Sequence, residues 1–459
     1  MTPVHMANGF DPESSPELDA DASALLERRS GVMSTSYRLF YDRPVDVVRA
    51  SGCLLYDAAG RDFLDMYNNV PGIGHSHPRV TEYVSAQVGL LNTHTRYLTE
   101  AVVDYSERLL ATFPAPLSRI TYACTGSEAV DLAVRTARFA TGRRGVVVTS
   151  NAYHGTTDLT AGMSPSLGPN AVLGPDVVTV AAPHAFRDDP ATAAAEFAGR
   201  IREAAAGLEA SGAGLAAVVV DSILSSDGVQ PGPVGMLAEA ADVTRELGGL
   251  WIADEVQPGF GRTGRMWGFE RHGEAAGTRT PFVPDIVALG KPMGNGMPIS
   301  AVVTSPEVGD EFGRSVRYFN TFGGNPVTIA AARAVLETVQ DDGLAAHAAR
   351  SGDALAGGIR ELAGRYPALA QVRHAGLFVG VEVVGTGRVE DGEGTGVPDA
   401  AGASAIVRGL RERRVLVSAS GAEANVLKIR PPLVFGSAEN TRFQEALAVT
   451  LAEVYPGQR

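Results

Sequence analysis

The sequence predicts an α/β fold: a mostly parallel sheet with helices on both faces, joined to a smaller α+β domain. Three observations predict it. Apolar runs of strand length, at residues 146–150, 216–221 and 249–254, alternate with helical stretches through Gly290, the pattern of strand–helix–strand crossovers. Several of these runs end on a polar or charged side chain followed by glycine, which is how such a sheet presents reactive groups at its carboxyl edge. At 459 residues, the chain exceeds one ordinary core and is expected to divide into two or three domains.

Composition narrows the class. A 45% hydrophobic content fits a soluble globular protein. A net charge of −13 argues against nucleic acid or an anionic membrane as the main partner, while leaving room for a local basic pocket for a small anion. The two cysteines, Cys53 and Cys124, are too few for a disulfide framework. They read as small buried thiols in a reducing cytoplasm. No apolar run reaches membrane-spanning length, and the acidic start, with Asp11, Glu13, Asp19 and Asp21, lacks the pattern of a secretory leader. Residues 1–36 are expected to be a mobile arm, or one that folds over a partner subunit.

Residues 37–78 are expected to pack with the small domain, with short strands and turns read over residues 49–78. They end in Asn68-Asn69-Val70-Pro-Gly-Ile-Gly-His75-Ser-His77-Pro. Two histidines two apart, set among Gly and Pro with no cysteine nearby, belong in a loop, so no metal site is expected. Residues 79–330 form the large domain. A helix over 80–91 leads to Asn92-Thr-His-Thr-Arg96-Tyr97-Leu. After Ile120 to Thr125, the stretch Gly126-Ser127-Glu128-Ala opens a helix to about residue 140, with Val130, Val134 and Ala137 on its apolar face. Small residues at a helix start leave backbone N–H groups free to bind phosphate, although Gly-Ser alone is also just a good cap. The strand at 146–150 delivers Asn151-Ala-Tyr153-His154-Gly155, where an aromatic can cover a flat heterocycle or simply pack in the core. Helices follow at 191–209 and 236–247, flanking the strand that ends at Asp221. Residues 331–459 form the small domain, with two helices to 365, strands at 372–384 and 415–420, and helices at 401–414 and 439–454. The Gly- and acid-rich stretch 385–398 is expected to be a surface loop.

The stretch 249–298 delivers the central pair. One strand ends at Asp254 and the next leads to Lys291, 37 residues further on. A salt bridge would account for the pair, but stability is a poor reason to bury one. The spelling is more specific: Asp254-Glu-Val256-Gln257-Pro-Gly-Phe-Gly-Arg-Thr-Gly, followed by Gly290-Lys291, resembles the signature of class III pyridoxal-phosphate aminotransferases. Gly-Ser-Glu-Ala, Tyr-His-Gly, Gly-His-x-His-Pro and Tyr318-Phe-Asn-Thr321-Phe-Gly-Gly-Asn-Pro are similar to further segments of that family. The likeness covers nearly all of the chain after Tyr37.

That resemblance implies fold type I, with a seven-stranded sheet, and pyridoxal 5′-phosphate as cofactor. It assigns Lys291 to the bond with the cofactor aldehyde and to proton abstraction, and Asp254 to the ring nitrogen, which it keeps protonated. Gly126 and Ser127 would hold the phosphate, with Thr321 reaching it across a dimer interface. Tyr153, with His154 beside it, would cover the ring. Val256 would pack beneath it, Gln257 would bond its hydroxyl, and Asp221 completes the cofactor set. Asn68, Asn69, Val70, Arg96, Lys428 and Arg430 are candidates for the substrate. A homodimer with shared sites is implied, with a tetramer left open, and the substrates are a small amine and a carbonyl compound.

Two departures bear on the substrate. Where ornithine-type members have arginine three residues before Pro-Pro, this chain has Lys428-Ile-Arg430-Pro431-Pro432, and after Asp221 it lacks the Gln-Gly-Glu whose glutamate balances that arginine. A lysine holds an anion as a point charge, with less planar selectivity for carboxylate. Asn68-Asn-Val, Asn92-Thr-His-Thr-Arg-Tyr-Leu and Leu427-Lys-Ile-Arg-Pro-Pro look most like the subgroup containing alanine–glyoxylate aminotransferase 2-like proteins and ethanolamine-phosphate phospholyases. Ping-pong amino transfer is the first expectation, with β-elimination and racemisation or epimerisation as alternatives. A cofactor-free scaffold of the same fold would be expected to lose Lys291, Asp254 or the phosphate cup, and all are present.

Overall fold

Seven strands make the central sheet of the computed structural model, which describes residues 8–12, 18–273, 282–385 and 396–457. Their spatial order is Arg119–Ala123, Ser300–Thr304, Ile286–Leu289, Leu250–Asp254, Leu215–Asp221, Gly145–Thr149 and Val177–Val180. Neighbours run parallel, except that Ser300–Thr304 is antiparallel to the strands on both its sides. The sequence reading assigned neither Ser300–Thr304 nor Val177–Val180.

The inner strands are buried on both faces, which is why they read as unbroken apolar runs without polar alternation. Successive side chains still serve different layers. Val146, Val148, Ala217, Val219 and Ile252 pack under Val130, Val134 and Ala137 of the helix Gly126–Thr141. Val147, Val218, Val220 and Trp251 belong to the opposite layer, with Phe197, Ile201 and Leu208 of Ala193–Ala210 and with Leu237 and Ala240 of Met236–Glu246. This two-residue period gives the sheet a helix layer on each side.

The C-terminal region adds an antiparallel sheet in the order Leu369–Ala375, Phe378–Val383, Val426–Ile429, Ser418–Ser420. Helices Leu344–Ala363, Ala400–Glu412 and Ser437–Val454 accompany it. The single strand expected over 372–384 is a hairpin that turns at Gly376. There φ is +52°, and a Cβ would lie 2.6 Å from the backbone of residues 262–264, so only glycine fits. The run 415–420 is likewise two strands: Val415–Leu416 joins a second small sheet, pairing parallel with Asp62–Asp65, and Ser418–Ser420 joins the first. Val47–Ser51, Leu54–Asp57 and Asp62–Asp65 complete that second sheet.

Helix Pro326–Asp341 spans the domain boundary expected at residue 330 and packs on Pro78–Val88 and Glu100–Leu110. In the N-terminal arm, Ala20–Ser30 is a helix capped by the Asp19 carboxylate, and it buries no residue. Without an apolar stripe the pattern gave no sign of it. Most of the expected loop 385–398 falls outside the described residues. Among the described residues, no helix is long and apolar enough to cross a membrane.

Candidate active site

The carboxyl ends of the parallel strands converge on a cavity of about 190 Å³, lined by Gly126, Ser127, Tyr153, His154, Gly155, Asp254, Val256, Gln257 and Lys291. Each arrives by a different element. Asp254 ends the strand Leu250–Asp254, and Lys291 opens the turn Lys291–Gly294 directly after the adjacent strand Ile286–Leu289. Asp254 and Lys291 therefore share one cavity.

Gly126 and Ser127 occupy the first turn of Gly126–Thr141. Thr125 caps it: its hydroxyl accepts from Glu128 N at 3.1 Å, while the Glu128 carboxylate accepts from Thr125 N at 2.9 Å. This capping box uses the third amide and leaves those of Gly126 and Ser127 directed beyond the helix end. The Ser127 hydroxyl accepts from Thr156 N at 3.1 Å, so its own proton remains to be donated outward. Glycine is required nearby: at Gly155, with φ +134°, a Cβ would lie 2.5 Å from the Ser127 hydroxyl oxygen, and one on Gly126 would lie 2.9 Å from Val256 Cγ1.

Asp254 is buried and doubly bonded, accepting from His154 Nδ1 at 2.8 Å and from Val256 N at 3.1 Å. His154 is fixed in turn by its backbone N–H on the Ser164 hydroxyl at 2.8 Å, and its Nε2 is buried without a partner among the described residues. Tyr153 remains more than one-third exposed, with its ring centroid 6.0 Å from Lys291 Nζ. Burial and the nearby Arg430 guanidinium push the Lys291 amine below its ordinary range, against the pull of Asp254 and Asp221.

A second layer stands behind the cavity. Asp221 lies in register with Asp254 on the neighbouring strand. Its carboxylate accepts from the Ser225 hydroxyl and from Ile223 N. Burial and the Asp254 charge raise it above the usual carboxylate range. The Ser225 oxygen accepts from Gln257 Nε2 at 2.7 Å, and Gln257 Oε1 accepts from Arg430 Nη1. Arg430 also donates to the Tyr67 carbonyl at 2.7 Å and lies 4.4 Å from the Tyr67 ring centroid. Because a guanidinium only donates, this chain fixes the Gln257 amide orientation. Asp227 is half-buried, accepting from Thr149 Oγ1 at 2.7 Å and Asn151 N at 3.2 Å, and desolvation raises it to about 6.

The expected site residues thus fall into four sets. Gly126, Ser127, Tyr153, His154, Asp254, Val256, Gln257 and Lys291 line the cavity. Asp221, Lys428 and Arg430 are not among the residues that line it: Asp221 is tied to the lining Gln257 through Ser225, and Arg430 bonds Gln257 directly. Asn68, Asn69 and Val70 form a loop whose start is held by Asp65, which accepts from Tyr67 N and Asn68 N. Farther on, Ile73 and Gly74 are pinned to Asn295 in the turn after Lys291. His75 bonds Asp65 at 2.7 Å. Arg96 and Thr321 are exposed and away from the cavity of their own chain, and Arg96 stacks on Phe319 at 3.7 Å. Sequence reasoning missed Ser225, Asp227 and Ser164, which are lone polar residues with no periodic signal. It also missed a compositional one: Lys291 and Lys428 are the only lysines, and the other 37 of the 39 Lys and Arg residues are arginine.

Comparison with known proteins gives this geometry its setting. The profile of the family described as "Aminotransferase class-III" matches residues 38–451. The chain belongs to the class-III aminotransferase family. It is 36% identical to the Caenorhabditis elegans protein named ethanolamine-phosphate phospho-lyase homolog 1, over 95% of this chain and 96% of that one. It is also 36% identical to the Drosophila melanogaster protein named alanine–glyoxylate aminotransferase 2-like, over 93% and 87%. Among solved structures, a phospholyase from Arthrobacter in complex with phosphoethanolamine superposes with a TM-score of 0.86 at 39% identity, covering 93% of this chain and 99% of that one. As a class-III aminotransferase, the chain is an enzyme that uses pyridoxal 5′-phosphate, and its fold is type I. The cavity suits that cofactor: two helix-end amides and a hydroxyl at one end, a buried carboxylate at the other, an amine to one side, and an orphaned histidine nitrogen within.

Proposed function

We propose that this enzyme transfers the amino group of a small primary amine carrying a compact anion to a keto acid or aldehyde. The observation that carries this reading is the meeting of Lys291 and Asp254 in one cavity. When bound, pyridoxal phosphate supplies an electron sink for the charge left at the substrate carbon that loses a proton.

The chain's residues do the rest. The amides of Gly126 and Ser127, with the Ser127 hydroxyl, hold the phosphate at the helix end. Asp254, oriented by His154, would accept from the protonated ring nitrogen. Tyr153 would cover one face of the ring, Val256 would support the other, and Gln257 would serve the ring hydroxyl. Lys291 holds the cofactor and then takes the proton from the substrate carbon. That role needs a neutral amine, and burial beside Arg430 favours one. Lys428 and Arg430 attract the substrate's anion, and the loop with Asn68, Asn69 and Val70 closes its other side.

The working unit we propose is a homodimer, with Thr321 and Arg96 serving the partner's cavity. The exposed apolar side chains Tyr97, Leu98, Phe319 and Phe322 lie beside them in sequence, a patch that a second copy would cover. Both cysteines are free, in keeping with the cytoplasmic location we propose.

A second reading is favoured by the relatives named as phospholyases: the same proton abstraction, followed by loss of phosphate from the neighbouring carbon. Incubation with phosphoethanolamine, with and without pyruvate, decides between them. Alanine formed in proportion to amine consumed supports amino transfer. Stoichiometric ammonia and phosphate without alanine supports elimination and overturns the first reading.

A further inference from the structure

The turn that carries Lys291 is held at both ends. At its start Gly290 lies against the sheet side, where a Cβ would sit 3.2 Å from Val256 Cγ1 and 3.3 Å from Gly126 Cα. At its end stands Asn295, whose backbone N–H closes the turn on the Pro292 carbonyl at 3.2 Å. From there the half-buried Asn295 side chain reaches a segment 222 residues away in sequence. The amide oxygen accepts from Ile73 N at 3.1 Å, and the amide nitrogen donates to the Gly74 carbonyl at 2.9 Å. Each end of the amide thus meets a group of the kind it bonds.

Two observations separate this contact from ordinary capping. Asn295 has φ +48° and ψ +39°, a left-handed conformation that asparagine tolerates but glycine adopts at lower cost. Glycine would suffice if the backbone were all that mattered; asparagine adds the clasp. The two segments also touch beside it: a Cβ at Gly72 would lie 2.9 Å from Pro292 Cβ, and Pro292 directly follows Lys291. The Gly72 carbonyl accepts from Leu433 N at 2.8 Å, and His75 bonds Asp65, which holds Tyr67 N and Asn68 N. The loop over residues 68–70 is therefore tied at both ends, and the Lys291 turn is tied to one of them.

We propose that Asn295 is a positioning residue for Lys291. Its two bonds hold the turn that carries the amine against the loop that closes on the substrate, so that amine and substrate carbon meet at a fixed separation. A long, flexible lysine can be aimed only from a backbone that does not shift. The inference rests on the roles given above to Lys291 and to the loop over residues 68–70.

The test compares wild type with Asn295→Gly, which keeps the left-handed turn and loses both bonds. Asn295→Asp joins them, since it keeps a side chain and the bond to Ile73 N but cannot donate to the Gly74 carbonyl. In the apoproteins, deuterium uptake by peptides covering residues 66–75 and 291–297 should rise together in both variants, with Leu250–Asp254 and Ile286–Leu289 unchanged. In the holoenzymes, the visible absorbance that borohydride shifts should persist. Phosphoethanolamine tritiated at the carbon bearing nitrogen then counts proton abstraction as label released to water, whichever reaction follows. At saturating amine, release should fall about 10- to 100-fold in Asn295→Gly, and by a smaller factor in Asn295→Asp. Uptake that rises in only one of the two segments, or an Asn295→Asp indistinguishable from wild type, overturns the clasp. Unchanged release at saturating amine, or loss of the visible absorbance, overturns the positioning role. If wild type itself releases no label, the anionic-amine reading fails, and deuterium uptake still decides the clasp.

Discussion

Two walls of one site are built on opposite terms. On the sheet side, the carboxylates and Gln257 are paired: Asp254 with His154 and Val256 N, Asp221 with Ser225, Gln257 with Ser225 and Arg430, and Asp227 with Thr149 and Asn151. On the C-terminal side, Lys428 of the strand Val426–Ile429 is buried and has no hydrogen-bond or ion-pair partner among the described residues. A paired network holds a resident group in one pose. An unpaired cation is a cost the folded protein bears until something anionic arrives. The contrast separates a wall that keeps its ligand from a wall that waits for one, and each side can be broken separately.

The largest effect is expected at Lys291. Lys291→Ala should lower turnover by on the order of 10³-fold or more and abolish the visible absorbance that borohydride shifts. The apparent Tm of the apoprotein should change little, since the lysine's role is chemical. Asp254→Asn comes next, with a fall of about 10²-fold in kcat and a small change in KM, measured under saturating cofactor. A larger loss of fold than of turnover would move Asp254 from the chemistry to the scaffold.

Lys428→Met breaks the other wall. KM for an anionic amine should rise about 10- to 100-fold, the worth of a hydrogen bond to a charged group, while the apparent Tm stays level or rises because a buried unpaired amine is gone. A fall in Tm with an unchanged KM would make Lys428 a packing residue.

Asp227→Asn gives the smallest effect and sharpens the sheet side. Asp227 is raised to about 6 from 3.8, so the native state holds its proton more tightly than the unfolded chain does. Its contribution is full below about pH 4 and is lost as pH climbs through about 6. Wild type should therefore lose stability across that window relative to Asp227→Asn, by no more than about 3 kcal/mol. Apparent Tm measured from pH 4.5 to 7.5 checks the sign. Asparagine can keep both bonds, because the Thr149 hydroxyl can reverse.

The sheet side was largely legible in the sequence because its chemistry depends on local spelling. The carboxylate, the lysine, the phosphate turn and the close-packed glycines each sit in a short motif at a strand end, and the strands are continuous apolar runs. The strand Ser300–Thr304 was missed because its antiparallel pairing falls outside the strand–helix rhythm that guided the rest. The rest was poorly legible, on either side. Ser225 and Asp227 act through partners at large sequence separation, Thr149 lying 78 residues from Asp227. Arg96 and Thr321 are exposed in one chain, so their use depends on a surface that a single sequence does not display. Lys428 carried a compositional signal as one of two lysines, which motif reading passed over.

That scarcity of lysine also provides the most direct test of the central claim, that the cofactor is bonded to Lys291. Holoenzyme is reduced with borohydride, digested, and its peptides weighed. The account predicts one added pyridoxyl-phosphate mass, on the peptide containing Lys291, with the peptide containing Lys428 unmodified. The added mass on Lys428, or on neither peptide of a coloured and active preparation, would contradict it.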